Sequence, residues 1–342
     1  QVEALLDQSL GERVAIAFGN RCAKIGLLIV LASIVGKCLL DSGAAERMVR
    51  SMLSVFGEKK APVSFMASSF LLGIPIFFDT VFYLMVPLAR AMGIRSEKSY
   101  ALYIMAIVAG GTMAHSLVPP TPGPLFAAGA LGVSIGLMII MGTIIGLMCS
   151  SAGIMYGFWL NKRQFVPLRS TAETSIEELK TWLSKDTTQL PGFVLSNLPI
   201  ALPVVLIAGN TITESIPMPV PDAIKSFFKL TGDPTIALFL ATIIALFLLA
   251  RQTSFRLKEL KKPIEEAVYS AGTIILITAT GGSYGEMLQQ TSIGNWLADV
   301  SPDYKLAALP LAFVITAVIR TAQGSATVSI ITAVGMLTVF NT

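Results

Sequence analysis

The sequence predicts an all-α integral membrane protein: a multi-span chain with an inverted repeat, two re-entrant hairpins and two discontinuous helices. Three observations predict it. The chain of 342 residues is 54% hydrophobic and 13% charged, with a mean hydropathy of +0.72, whereas a soluble domain carries about 25% charged residues. Its apolar runs reach the roughly 20 residues that a helix needs to cross a bilayer. Two of these runs are interrupted by short polar, Gly/Pro-rich stretches, Met113 to Pro124 and Arg320 to Thr327. A glycine-containing kink precedes each, Leu72 to Thr80 and Ala279 to Glu286, and the spacing from Gly73 to His115 equals that from Gly281 to Gln323. Unwound backbone persists in lipid only where protein buries it or it lines a cavity. Corresponding interruptions in two halves point to the substrate site of a secondary transporter.

Taken in order, residues 1–160 form the first repeat. Ile25 to Leu40 is its first membrane helix, with Lys37 and Asp41 four apart and able to pair on one face. Glu46 to Lys60 is polar and fits the membrane surface. Residues 61–92 form the first hairpin, broken at Gly73-Ile-Pro75 and again at Asp79, with basic flanks at both ends. Two basic flanks place both ends in the cytoplasm, so the segment enters and returns as a re-entrant hairpin, with two short full spans as the alternative. Residues 99–131 are too long for one plain span and form the first broken helix, its halves meeting at Ser116 to Pro124. Ser134 to Leu160 is a span, and Gly132, Gly136, Gly142, Gly146 and Gly153 read as close-packing positions.

Residues 161–192 are a polar, basic linker expected in the cytoplasm, with a surface helix over Ser175 to Ser184. The second repeat, 193–342, opens with spans at Phe193 to Gly209 and Thr235 to Ala250, joined by a Pro-rich loop from Thr211 to Asp233. Arg251 to Lys262 is strongly basic and belongs in the cytoplasm. A second hairpin follows at about 267–300 and a second broken helix at 305–340, C-terminally incomplete. Inverted symmetry would set this hairpin on the opposite side from the basic loop, and the path between them stays open. Both ends of the chain read as cuts within a longer protein.

The net charge of +4 is scattered between apolar runs, with no basic-aromatic face for nucleic acid. Cys22, Cys38 and Cys149 show no CxxC spacing and read as small packing residues. The single histidine, His115, excludes any site needing two histidines on a metal, and no cofactor is expected. An intramembrane aspartyl protease needs two facing aspartates and a zinc protease needs HExxH. Neither occurs, and His115 and Ser116 are too close in sequence for nucleophilic attack.

The candidate site residues fall in the interruptions. Asp79 is the one acid between Lys60 and Glu97; burial raises a carboxylate's pKa and would make it a proton carrier, or it sits at a wet hairpin tip or caps the helix that follows. His115 titrates near neutrality and is the other candidate relay. Arg320 follows a long apolar run and can grip a carboxylate with two prongs. The helix after Gly324 would aim its positive end at an anion. Ser116, Thr121, Gln323, Ser325 and Thr327 offer hydroxyl or amide contacts. Gly281, Gly282, Ser283 and Gly285 read as a tight polar bend, without the Lys-Ser/Thr of a phosphate loop.

The stretches Gly73 to Ala89, His115 to Pro124 and Gly324 to Val328, with Gly36-Lys37 and Ser42 to Arg47, resemble the gluconate permease family, the gluconate:proton symporters and their D-serine relatives. The similarity runs through most of the chain, although family members are longer at both ends. The resemblance implies a bacterial inner-membrane symporter of sugar acids or similar small carboxylates. It also implies the ion-transporter-superfamily-like plan of two re-entrant hairpins and two broken helices. Substrate would then lie between Asp79-Thr80, His115 to Thr121, Gly281-Gly282 and Arg320 to Thr327. Family members carry Glu-Val where this chain has Asp79-Thr80, which puts gluconate itself in question. Arg320 matches the gluconate type better than the D-serine type. The expected partners are a small anionic metabolite, protons and the lipid bilayer; Na⁺ in place of H⁺, and a homo-oligomer, stay open.

Overall fold

The computed structural model describes residues 8–57, 60–96, 100–164, 166, 190–215, 221–254, 256–290, 304–323 and 326–337. Helix α1 runs from Leu10 to Asp41, well before the expected start at Ile25. The reason is a capping box: the Ser9 amide donates to Glu12 Oε2 at 2.9 Å and the Glu12 amide to Ser9 Oγ at 3.2 Å. That reciprocal pair satisfies two of the otherwise unpaired amides of the first turn. Helix α2 (Ala44–Phe56) is amphipathic. It buries Ala44, Ala45, Met48 and Val49 while Glu46 and Arg50 pair at 2.7 Å.

The first hairpin consists of α3 (Ala61–Gly73), a turn over 74–77 and α4 (Phe78–Ser96). Thirteen residues in α3 rise about 20 Å, short of the ~30 Å hydrocarbon core. Asp79 does not interrupt the segment a second time. The helix resumes at Phe78 and holds Asp79 in its first turn, where the positive helix end favours a carboxylate. Helices α5 (Tyr100–Leu117) and α6 (Pro122–Leu131) are the two parts of the first broken helix. Pro119, Pro120 and Pro122 lack the amides that a continuous helix would use.

Helix α7 (Ile135–Arg163) follows Gly132, whose φ of 68° terminates α6. Gly132 is therefore a left-handed cap rather than a packing glycine, and a Cβ there would touch nothing within 4 Å. The glycines inside α7 do serve close approach. A Cβ at Gly142 would strike the Leu117 carbonyl, one at Gly146 would lie 3.0 Å from the Phe70 ring, and one at Gly153 2.9 Å from Ala109 Cβ. Of the cysteines, Cys38 is buried but Cys149 is exposed on α7, so only the former packs inside.

Helices α8 (Phe193–Ser215) and α10 (Pro234–Gln252) are the next apolar rods, and Asp233 caps α10 through the Thr235 and Ile236 amides. The stretch expected as a loop from Thr211 to Asp233 is partly helical: α8 continues to Ser215 and α9 covers Asp222–Thr231. Helix α11 (Leu257–Gln289) then passes without a bend through Gly281, Gly282, Ser283 and Gly285. The expected kink is absent because α-helical hydrogen bonding tolerates glycine and neighbours need the space. A Cβ at Gly281 would collide with Ile331, and one at Gly282 would lie 2.8 Å from Phe126 and 2.9 Å from the Arg21 stem. Helices α12 (Tyr304–Gln323) and α13 (Ala326–Leu337) flank the second break and pack on each other. The break's Gly324 and Ser325, the expected helix over 175–184 and the far end of the second hairpin lie outside the described residues.

Five described helical segments are long and apolar enough to cross a membrane: Leu10–Asp41, Tyr100–Leu131, Ile135–Arg163, Phe193–Glu214 and Pro234–Gln252. The largest buried cluster joins α3, α4 and α5 around Phe65, Leu72, Met85 and Ile107. The most extensive helix pair is α1 with α11. It is antiparallel, because Arg21 near the start of α1 meets Glu286 near the end of α11 at 3.5 Å, and Lys37 near the end of α1 meets Glu266 near the start of α11 at 2.8 Å.

Candidate substrate cavity

Three helix interruptions meet around one cavity of about 730 Å³. The turn before α4 contributes Phe77, and the first turn of α4 contributes Phe78, Asp79 and Thr80. The end of α5 supplies Thr112, His115 and Ser116, and Pro122 opens α6 beside them. Arg320 on α12 and Ala326, Thr327 and Val328 on α13 face them, and α11 closes one wall with Ser270, Ile274, Ile277 and Thr278. This volume lies in the range of about 300–1,000 Å³ typical of small-molecule sites.

The electrostatics follow from which groups are already answered. The first turns of α4, α6 and α13 border the cavity, and first-turn amides have no partner within their own helix. They carry the positive end of the helix dipole. Asp79 answers the α4 end with its own carboxylate. Pro122 and Pro124 in the first turn of α6 remove two donors there. The start of α13 holds no acidic side chain of its own. Arg320 adds a full positive charge, and among the described residues it makes no ion pair. The cavity therefore suits an anion beside Arg320 and the α13 start, in a space that Asp79 also borders.

His115 is buried and its ring stands edge-on to Phe77, centroids 5.7 Å apart. Its Nε2 lies 3.5 Å from the Thr327 hydroxyl, a contact that links α5 to α13 across the two breaks. His115 Nδ1 and Ser116 Oγ are buried without a hydrogen-bond partner among the described residues. A buried polar atom left without a partner costs about 1–3 kcal/mol, so these two atoms invite a polar ligand or water.

The structure thus brings Asp79, Thr80, His115, Ser116, Arg320 and Thr327 to one cavity. It does not bring Thr121 there. That hydroxyl is buried and donates to the Val118 carbonyl at 2.8 Å, on a small void behind the hairpin turn. Gly281 and Gly282 lie one turn beyond Thr278 and are spent on helix packing. The side chain of Gln323, like Gly324 and Ser325, is outside the described residues. Asp79 is exposed to the cavity rather than buried, so burial does not supply the reason for it to carry a proton. Thr112, Ser270 and Thr278 were missed by the reading of interruptions because they sit within continuous helix. Their signal was periodic: Thr112 lies one turn before His115, and Ser270, Ile274, Ile277 and Thr278 fall on one helical stripe.

A bundle of membrane-length helices around a cavity bordered by broken ones is the architecture expected of a membrane transporter. A family model described as "GntP family permease" matches residues 5–340. The chain belongs to the GntP family of permeases and is a multi-pass inner-membrane protein. It is 31% identical to a gluconate permease of Pseudomonas aeruginosa over 94% of this chain and 70% of that one. It is 30% identical to the inner membrane permease YgbN of Escherichia coli over 96% of this chain and 73% of that one. Among solved structures, the fold is similar to that of the Alcanivorax borkumensis YdaH transporter, with a TM-score of 0.59 at 16% identity, covering 97% of this chain and 74% of that one. The chain spans 66–73% of the length of the first four curated relatives it matches.

Proposed function

We propose that this protein imports gluconate or a related small sugar acid by proton symport, with alternating access to the cavity described above. The carrying observation is the convergence of Arg320, Asp79, His115 and the start of α13 on one space. Arg320 and the α13 end hold the carboxylate, by a charge-assisted pair and by first-turn amides. Thr80, Ser116 and Thr327 hold substrate hydroxyls, joined by Gln323 and Ser325 at the second break. Asp79 or His115 takes the coupled proton: both border the space in which the anion would sit, so anion and proton each favour the other's binding. The gluconate and L-idonate transporters among the curated relatives support the substrate class.

Two similar-length rods, α1 of 32 residues and α11 of 33, each precede a pair of shorter helices that meet at a break, α3 with α4 and α12 with α13. This spacing supports a repeat that pairs the 74–77 turn with the break at 324–325, rather than Gly73 with Gly281. One half then moves against the other around the site, and substrate drives that change only by binding the two states unequally.

The test is uptake of labelled gluconate into proteoliposomes under an imposed pH gradient. Asp79→Asn is expected to abolish accumulation driven by the pH gradient while sparing exchange of internal for external substrate. Unchanged accumulation in this variant removes Asp79 as the proton carrier and leaves His115. Accumulation that follows an Na⁺ gradient at fixed pH overturns proton coupling.

A further inference from the structure

Beside the substrate cavity lies a second one of about 190 Å³, lined by Ser33, Gly36, Lys37, Leu40, Ile76 and Glu266 among others. It shares Phe77, Thr80 and Ser270 with the substrate cavity, so the two spaces adjoin at these side chains. At its outer end Lys37 Nζ sits 2.8 Å from Glu266 Oε2 and 3.1 Å from Asp41 Oδ1. Glu266 also faces Lys262 at 3.9 Å. The Lys37–Asp41 pair is local to one helix, whereas Lys37–Glu266 ties α1 to α11.

We infer that this second cavity is the passage by which the substrate leaves the site toward the cytoplasm, and that the Lys37–Glu266 ion pair is its gate. The inference rests on the transport reading above for what travels through the passage. Three features carry it. The passage abuts the site at Thr80 and Ser270, which border both spaces. Its wall carries opposite charges on two different long helices, Lys37 on α1 and Glu266 on α11, paired at 2.8 Å. The basic stretch Arg251 to Lys262 leads directly into this end of α11, which sets the mouth on the cytoplasmic side by the distribution of positive charge. A second charged contact, Arg21 with Glu286, lies twenty residues further along α11, about 30 Å away, near the opposite face of the bilayer. The α11 stripe of Ser270, Ile274, Ile277 and Thr278 lies between the two. Lys37 also presents to an arriving carboxylate a cation it can hold once Glu266 withdraws.

The gate is tested by thiol labelling, which needs no substrate. In the full-length protein with its native cysteines replaced, Ser33→Cys places a buried thiol of nearly the same size in the passage wall. A small, membrane-impermeant methanethiosulfonate reagent is applied from each face of reconstituted vesicles. Labelling at position 33 is expected to be slow, and to quicken about tenfold in Lys37→Met or Glu266→Gln, from the cytoplasmic face only, as two partly exposed bridges are lost. Lys37→Arg, which keeps a cation facing both Asp41 and Glu266, is expected to keep labelling at the slow rate, which separates gating from misfolding. Equal labelling rates in all variants, or faster labelling from the outer face alone, overturn the inference. Absence of gluconate binding by thermal shift in the parent protein would count against the substrate proposal while leaving the labelling result to judge the gate.

Discussion

Arg320→Lys is expected to weaken sugar-acid uptake about 10- to 100-fold while the protein inserts and purifies as the parent does. The charge is kept, so the loss isolates geometry. A guanidinium offers two parallel N–H donors to a carboxylate, whereas an ammonium acts as a point charge on a flexible stem. Losing one charge-assisted hydrogen bond costs about 1.5–3 kcal/mol, and each 1.4 kcal/mol is about tenfold in affinity. Among the described residues Arg320 makes no ion pair, so its guanidinium is not already committed to a carboxylate when substrate arrives. The concentration dependence of uptake, read alongside the thermal midpoint of the purified protein, measures it. Wild-type affinity in the lysine variant would remove Arg320 from the site.

The second large effect is structural. Gly110→Val on α5 is expected to destabilise the protein by about 3 kcal/mol or more, the upper end of what overpacking a tight core costs. A Cβ at Gly110 would run into the Met66 carbonyl and the Ser69 hydroxyl of α3. The neighbour is largely backbone, which cannot turn aside as a side-chain tip can. Because α5 carries Thr112, His115 and Ser116, displacing it from α3 also disperses the cavity wall. The control is Gly272→Ala on α11, where a Cβ meets nothing within 4 Å and helix propensity improves by up to about 1 kcal/mol. Thermal midpoints in detergent measure both. A Gly110→Val protein as stable as the parent would mean that α3 and α5 do not lie this close in the membrane.

The comparison of Arg320 with Gly281 shows what made a residue legible in advance. Arg320 stood out because a charge after an apolar run is costly in a membrane unless it has a task. Gly281 and Gly282 stood out as well, but for a pattern with two meanings. Glycine clusters break helices, and they also let helices approach, and the sequence does not say which neighbour stands opposite. Here Ile331, Phe126 and Arg21 stand opposite, from three other helices, and the backbone stays helical. Thr121 fails for a related reason: a hydroxyl at a break can bind a ligand or satisfy a carbonyl freed by the same break, and it does the latter. Ser270 and Thr278 were hidden in the reverse way, being polar side chains in unbroken helix that show their role only once α11 lies against the cavity.

The sequence alone determined the membrane setting, the all-α class, the turn near Gly73-Ile-Pro75 and the first break. Each of these depends on local chemistry: hydropathy over twenty residues, prolines without amides and a glycine turn. Tertiary structure alone decided which interruptions share a cavity, that Asp79 sits exposed at a helix start, and that Lys37 bridges to Glu266 as well as to its helical neighbour Asp41. These are contacts between segments far apart in the chain. Their energy depends on distances that no periodicity encodes, because a charge or a glycine is given its partner by the packing of whole helices.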